Sequence, residues 1–269
     1  MKHILIVRPM HPPNATLRRH EQFHSAFLPD DRDLLVWLPP GYAAEPDRHY
    51  PVLYMHDGQN LFDPETAFQP GEHWRVGETA AGLIAAGQLH PLIIVGIYNT
   101  GDERIHEYTP TTDARLGGGL AAAYGRLIVE EVKPLVDRTY RTLPDAAHTG
   151  LGGSSLGGLV TLHLGFTHPE VFSRLAVLSP SVWWDRRAIL KTVRQARPRP
   201  ALRLWVDMGT AEGRRGLDDA RLLKAALVGA GYVEGVDLHY AEFEGATHSE
   251  AAWAARVGPM LKWLFPPVS

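Results

Sequence analysis

The 269-residue chain is 45% hydrophobic and 21% charged, with mean hydropathy −0.16, the composition of a globular protein long enough to bury one substantial core. That excludes a disordered, collagen-like or membrane-embedded chain, and a formal net charge of −3 leaves no basic excess for nucleic acid or anionic lipid. With no cysteine there is no disulfide, thiolate or cysteine zinc site, so any nucleophile is Ser, Thr, Lys or a carboxylate.

In chain order, Ile4-Leu5-Ile6-Val7 is apolar but is stopped by Arg8-Pro9, too short for a signal-peptide core. No run approaches the roughly 18 apolar residues of a membrane span, so a cytoplasmic protein is expected. Asn14-Ala15-Thr16 matches the glycosylation acceptor pattern and carries no weight without a secretion signal. Strands are predicted at 33–38 and 51–55, closed by Pro39-Pro40-Gly41 and Asp57-Gly58. A helix follows at 77–88, then a strand at 92–97 whose β-branched run suits burial on both faces of a parallel sheet. The stretch 120–140 carries Leu127, Ile128, Val132, Leu135 and Val136 at helical spacing. The remainder reads as strand 148–151, helix 156–167, strand 175–178, helix 186–197, strand 202–207, helix 217–230, strand 236–243 and helix 249–264.

This alternation predicts right-handed crossovers and an α/β fold, a mostly parallel sheet with helices on both faces. No repeat, low-complexity tract or long linker divides the chain. One domain over residues 1–269 is expected, with residues 1–20 an amino-terminal extension.

The most informative segment is Leu151-Gly152-Gly153-Ser154-Ser155-Leu156-Gly157-Gly158, which places Ser155 at the centre of G-x-S-x-G between a predicted strand and a predicted helix. In a nucleophile elbow, small flanking residues let the backbone turn sharply so that the hydroxyl points outward. The helix that follows presents free N–H groups, so the Leu156 amide is placed to stabilise an oxyanion. A phosphate-binding loop is disfavoured, since neither Gly-Lys-Ser nor Gly-Lys-Thr follows.

A serine nucleophile needs a base and an acid to orient it, in the chain order Ser, acid, His. Glu212 follows the strand at 202–207, and Asp207 is its rival. His248 lies in a small-residue loop before the last helix and is the expected base, whereas His239 sits mid-strand.

These residues resemble the "putative esterase" (esterase D type) family of α/β-hydrolases, nearest to its enterobactin or siderophore-esterase branch. The likeness is carried in order by Val36-Trp37-Leu38-Pro39-Pro40-Gly41-Tyr42, Tyr54-Met55-His56-Asp57-Gly58-Gln59-Asn60, Glu107-Tyr108-Thr109-Pro110, the elbow, Ser179-Pro180-Ser181-Val182-Trp183-Trp184, Gly209-Thr210-Ala211-Glu212 and Gly245-Ala246-Thr247-His248. It implies a serine carboxylic-ester hydrolase with a catalytic set of Ser155, Glu212 and His248. It also implies a second oxyanion donor, the Gln59 amide, and a minimal lid over an open pocket. Trp74, Tyr108, Trp183 and Trp184 are candidate pocket aromatics, and Arg104 a candidate partner for an anionic group. A small-molecule ester substrate is expected, with no cofactor, no nucleic acid and no membrane partner. An acyltransferase on the same residues, or a non-catalytic binding protein on the same fold, are the alternatives.

His20-Glu21-Gln22-Phe23-His24 matches H-E-x-x-H, which on a helix would hold zinc. The resemblance places it on an early strand, where residues four apart lie about 13 Å from each other, too far for one ion. No metal is expected.

Overall fold

The computed structural model describes residues 4–6 and 15–267. Among the described residues nine strands form one sheet: β1 (Ile4–Ile6), β2 (Thr16–Phe23), β3 (Arg32–Leu38), β4 (Val52–His56), β5 (Ile93–Ile97), β6 (Thr149–Ser154), β7 (Arg174–Leu178), β8 (Arg203–Gly209) and β9 (Leu238–Phe243). Their spatial order is β1-β2-β3-β5-β4-β6-β7-β8-β9. The first three strands run antiparallel to their neighbours and the six from β5 to β9 are parallel, as the alternating pattern predicts. β2 pairs with β3 through residues 16–20, so that part of the expected amino-terminal extension belongs to the sheet.

The helices are α1 (Val76–Ala85), α2 (Arg104–Glu107), α3 (Ala121–Arg126), α4 (Lys133–Thr139), α5 (Leu156–Thr167), α6 (Trp184–Gln195), α7 (Arg214–Gly229) and α8 (Glu250–Leu264). The single helix expected at 120–140 is α3 and α4 joined by a π-helical stretch, Leu127–Val132. α6 departs from a regular helix at its start, where Asp185, Arg186 and Arg187 have φ of 39°, 55° and 68°.

Strand alternation distributes side chains between two cores. On one face Leu34, Val36, Tyr54, Val95, Leu151, Val177 and Val206 pack under α3 to α7, and on the other Leu35, Trp37, Met55, Ile94, Ala176, Leu178 and Trp205 pack under α1 and α8. Every residue of β4, β5 and β6 is buried, which explains the apolar run of β5 and of Val52 to Met55 in β4. Each fully buried Val, Leu or Ile contributes about 1.5–3 kcal/mol relative to exposure.

The topology then places the site. β4 lies between β5 on one side and β6 on the other, so successive crossovers leave β4 in opposite directions and open a crevice at the carboxyl ends of β4 and β6. The loops after β4, β6, β7, β8 and β9 all emerge on that edge because these strands are parallel. They carry Asp57 to Asn60, Ser155, Ser179 to Ser181, Glu212 and His248 respectively.

Candidate active site

Ser155 stands between β6 and α5 with φ 59° and ψ −121°, a strained conformation for a residue with a side chain, costing about 1–3 kcal/mol. The flanking glycines make the turn feasible. A Cβ on Gly153 would lie 3.0 Å from His56 Cδ2 and 3.1 Å from the Gly157 carbonyl carbon, and one on Gly158 would lie 2.9 Å from the Leu178 carbonyl oxygen. The Ser155 amide donates to the Leu178 carbonyl (3.1 Å), which ties the turn to β7. Leu156 is the first residue of α5, where an amide has no intrahelical acceptor.

Opposite the elbow, the loop after β4 holds Asp57 at φ 56°, ψ 46°, followed by a 3-10 turn, Gly58–Asn60. A Cβ on Gly58 would come within 2.6 Å of the Gly96 carbonyl carbon, so only glycine lets this loop lie against β5. The Asp57 carboxylate receives Arg104 Nε (2.7 Å) and Nη2 (2.8 Å) and Asn99 Nδ2 (2.7 Å). Burial alone would raise its pKa, but the Arg104 guanidinium and these hydrogen bonds outweigh it and hold the carboxyl below its usual value. The loop presenting the Gln59 amide is therefore braced by a bidentate ion pair.

His248 Nδ1 donates to Glu212 Oε2 at 2.6 Å. A carboxylate only accepts, so the proton of this bond sits on Nδ1, and in the neutral imidazole Nε2 is the nitrogen left to accept. Glu212 Oε1 accepts from the Ser179 hydroxyl (2.6 Å), the Gly209 amide (2.8 Å) and Arg256 Nη2 (3.2 Å). Burial pushes the Glu212 pKa up, yet the hydrogen bonds from His248, Ser179 and Gly209 win and keep it below the ordinary value. The rival acid, Asp207, is fully buried on β8 and bound to Arg256 Nη1 (2.8 Å) and Trp205 Nε1 (2.7 Å). Its burial raises its pKa to about 6 against the opposing pull of Arg256. Glu212, and not Asp207, is the carboxylate on His248.

Ser155 and His248 line the same two cavities, of about 410 and 490 Å³. No hydrogen bond joins them among the described residues; the Ser155 hydroxyl lies instead 3.3 Å from that of Ser181. Such contacts commonly tighten only when substrate binds. Gln59 and Arg104 line the first cavity, Leu156 and Trp183 the second.

Three of the expected pocket aromatics are elsewhere. Trp74 is buried against Trp253, with ring centroids 5.6 Å apart. Tyr108 is buried beneath the loop after β4, where its hydroxyl accepts from the Asp57 amide (3.3 Å). Trp184 is buried with Nε1 donating to the Thr111 carbonyl (2.9 Å). Trp183, at 39% exposure, is the one of the four that faces a cavity beside Ser155. Arg104 reaches the first cavity, but its Nε and Nη2 are committed to Asp57.

The H-E-x-x-H stretch lies on β2 and the residue after it, as a strand reading expects. His20 Nε2 meets the Tyr140 hydroxyl (2.8 Å) while His24 Nδ1 donates to Asp31 (2.8 Å), so the two imidazoles serve different partners.

Sequence reasoning missed the support behind Glu212. Ser179, at φ 41°, accepts from Trp253 Nε1 (3.0 Å) and Arg256 Nη1 (2.9 Å) while donating to Glu212. The available signal was Arg256 itself, a charge set among Trp253, Val257 and Met260 on the apolar stripe of α8, where a buried cation needs partners. The brace of Asn99 on Asp57 left no such signal.

Comparison with known proteins supplies the family and the fold. Residues 25–264 match the family described as "Putative esterase". The uncharacterized protein YbbA of Bacillus subtilis (strain 168) is 24% identical over 248 residues, 87% of this chain and 93% of that protein. The ferri-bacillibactin esterase BesA of the same organism is 29% identical over 178 residues, 60% of this chain and 58% of that protein. The fold is shared with an IroE-like serine hydrolase from Shewanella oneidensis, with a TM-score of 0.74 at 22% identity over 93% of this chain and 80% of that one. The family match spans the sheet from β3 to β9, the elbow and the loops that converge on it, and on that basis the chain belongs to the "Putative esterase" family of hydrolases, on the α/β-hydrolase fold.

Proposed function

We propose that the protein is a serine carboxylic-ester hydrolase working through an acyl-enzyme. Ser155 Oγ attacks the ester carbonyl carbon while His248 Nε2 takes its proton. Glu212 orients His248 and stabilises the imidazolium. The Gln59 and Leu156 amides receive the oxyanion, each such donor lowering the barrier by about 3 kcal/mol. Collapse of the tetrahedral intermediate expels the alkoxide, which takes the proton from His248, and water repeats the sequence to release the acid. The observation that carries this reading is the 2.6 Å bond between His248 and Glu212 beside a serine held in an elbow conformation at the same cavities. The likeness to a ferri-bacillibactin esterase supports an ester as the substrate class.

The test is mass spectrometry after a fluorophosphonate probe on wild type and Ser155→Ala, with short p-nitrophenyl esters assayed in the presence and absence of EDTA. The reading expects an adduct on Ser155, loss of hydrolysis in Ser155→Ala, and no effect of chelation. Activity that survives Ser155→Ala and dies with EDTA would overturn it, and absence of any adduct would favour a binding protein on the same fold.

A further inference from the structure

The two cavities beside Ser155 differ in charge. The first is lined by Asp57, Asp102 and Glu250 against the single cation Arg104, which is already paired with Asp57. The second is lined by Ile105, Pro180, Trp183 and Met208, with Glu212 and Arg215 as its charged residues apart from His248. Glu212 is spent, its side chain 3% exposed and bound by His248, Ser179, Gly209 and Arg256. Arg215 is not. It is exposed, and among the described residues no hydrogen bond or ion pair engages it, whereas Arg214 and Arg187 face Asp218 and Asp219. An uncommitted guanidinium beside an exposed indole, in a cavity that opens on the nucleophile, has the composition of a site for a planar anion on an apolar arm.

We propose that the cavity between Trp183 and Arg215 is a subsite for a carboxylate-bearing arm of the ester, held by Arg215 at its charged end and by Trp183, Ile105 and Met208 along its apolar length. This rests on the serine-hydrolase reading and names the substrate class that the site takes. It also moves anion recognition from Arg104, whose fork is occupied, to Arg215. Acidic residues in the first cavity exclude the same arm from that side by like-charge repulsion, so the substrate's orientation across Ser155 follows from its charge.

The experiment compares two matched ester pairs on wild type, Arg215→Gln, Arg215→Glu and the remote surface control Arg126→Gln. One pair carries the charge on the acyl side, p-nitrophenyl butyrate against mono-p-nitrophenyl glutarate. The other carries it on the alcohol side, phenyl butyrate against 3-carboxyphenyl butyrate. In one of the two pairs, the ratio of kcat/KM for the anionic over the neutral ester is expected to fall about fivefold in Arg215→Gln, the worth of a part-exposed ion pair. It falls further in Arg215→Glu and stays at the wild-type value in Arg126→Gln. The change appears mainly in KM and shrinks with added salt. Ratios unchanged by Arg215→Gln and Arg215→Glu in both pairs would overturn the subsite while leaving the hydrolase reading intact. Failure of wild type to cleave any of the four esters, neutral ones included, would instead fall on the hydrolase reading, and the subsite with it.

Discussion

Ser179→Ala separates the support of the acid from the acid itself. The Ser179 hydroxyl donates to Glu212 Oε1 (2.6 Å) and accepts from Trp253 Nε1 (3.0 Å) and Arg256 Nη1 (2.9 Å). Removing it leaves the buried Trp253 indole without that acceptor, a cost of about 1–3 kcal/mol, and each kcal/mol lowers Tm by about 2–4 °C in a chain near this size. The effect on chemistry has a defined sign. A carboxylate that loses a hydrogen-bond donor becomes more basic, its hold on the His248 proton strengthens, and the imidazolium is favoured. In the proposed mechanism turnover requires neutral His248, so the acid limb of kcat/KM against pH moves to higher pH, by up to about 1 unit for one charge-assisted bond. The assay is a pH profile on a neutral p-nitrophenyl ester, beside thermal melts. Ser179→Gly serves as the control, because it removes the same hydroxyl while relieving the positive φ. Equal limb shifts in both variants are expected. A limb that stays at the wild-type pH in both, with Tm lowered, would refute the electrostatic argument and reduce Ser179 to packing.

Glu212→Gln is expected to lower kcat by about 10²–10⁴-fold, with fluorophosphonate labelling of Ser155 slowed alongside it, by analogy with loss of the orienting acid. Asp207→Asn instead leaves Arg256 short of its buried counter-ion and costs about 3 kcal/mol of stability, so melts and kinetics on the pair should diverge in opposite senses. Gly58→Ala forces the loop after β4 off β5, since its Cβ would meet the Gly96 carbonyl carbon at 2.6 Å; kcat should drop by about tenfold or more as one oxyanion donor is misplaced, and an unchanged kcat would remove Gln59 from the mechanism. Burial lowers His163 to a pKa of about 4 and His56 to about 3, so the unfolded chain takes up protons first. Stability from these imidazoles is full above about pH 6.5 and is lost as pH falls toward 4, by up to about 1.4 kcal/mol per pH unit and group. His163→Gln should flatten the fall of Tm between pH 6 and 4, and a slope identical to wild type would count against the assignment.

Much of the architecture is legible in the sequence alone, because local rules dominate it. The period-2 and period-3.6 patterns locate β3 to β9 and α5, α7 and α8 to within a few residues, since a strand or helix buried on a known face has to repeat at its own spacing. The elbow was legible for the same local reason: a strained turn at Ser155 admits only small neighbours, and Gly153, Gly157 and Gly158 lie within three residues of it. Order along the chain likewise placed Glu212 and His248 at strand ends on one edge of a parallel sheet.

Aromatic residues were the opposite case. Trp74, Tyr108, Trp183 and Trp184 are alike as hydrophobic bodies with one polar handle, and whether that handle meets a backbone carbonyl, a neighbouring amide or open space depends on chain segments distant in sequence. Tertiary packing buried three of them and left Trp183 at the cavity. The choice between Glu212 and Asp207 was non-local too: β8 turns Asp207 inward to Arg256, 49 residues away, while the turn after it swings Glu212 out to His248. Arg104 and Arg215 differ in nothing but their surroundings, an aspartate 47 positions distant for one and open cavity for the other. Sequence determined which groups exist and on which edge they emerge, because backbone periodicity and turn sterics are local. The tertiary structure alone decided which charges are spent and which remain free to meet a substrate, because pairing and desolvation are properties of neighbours in space.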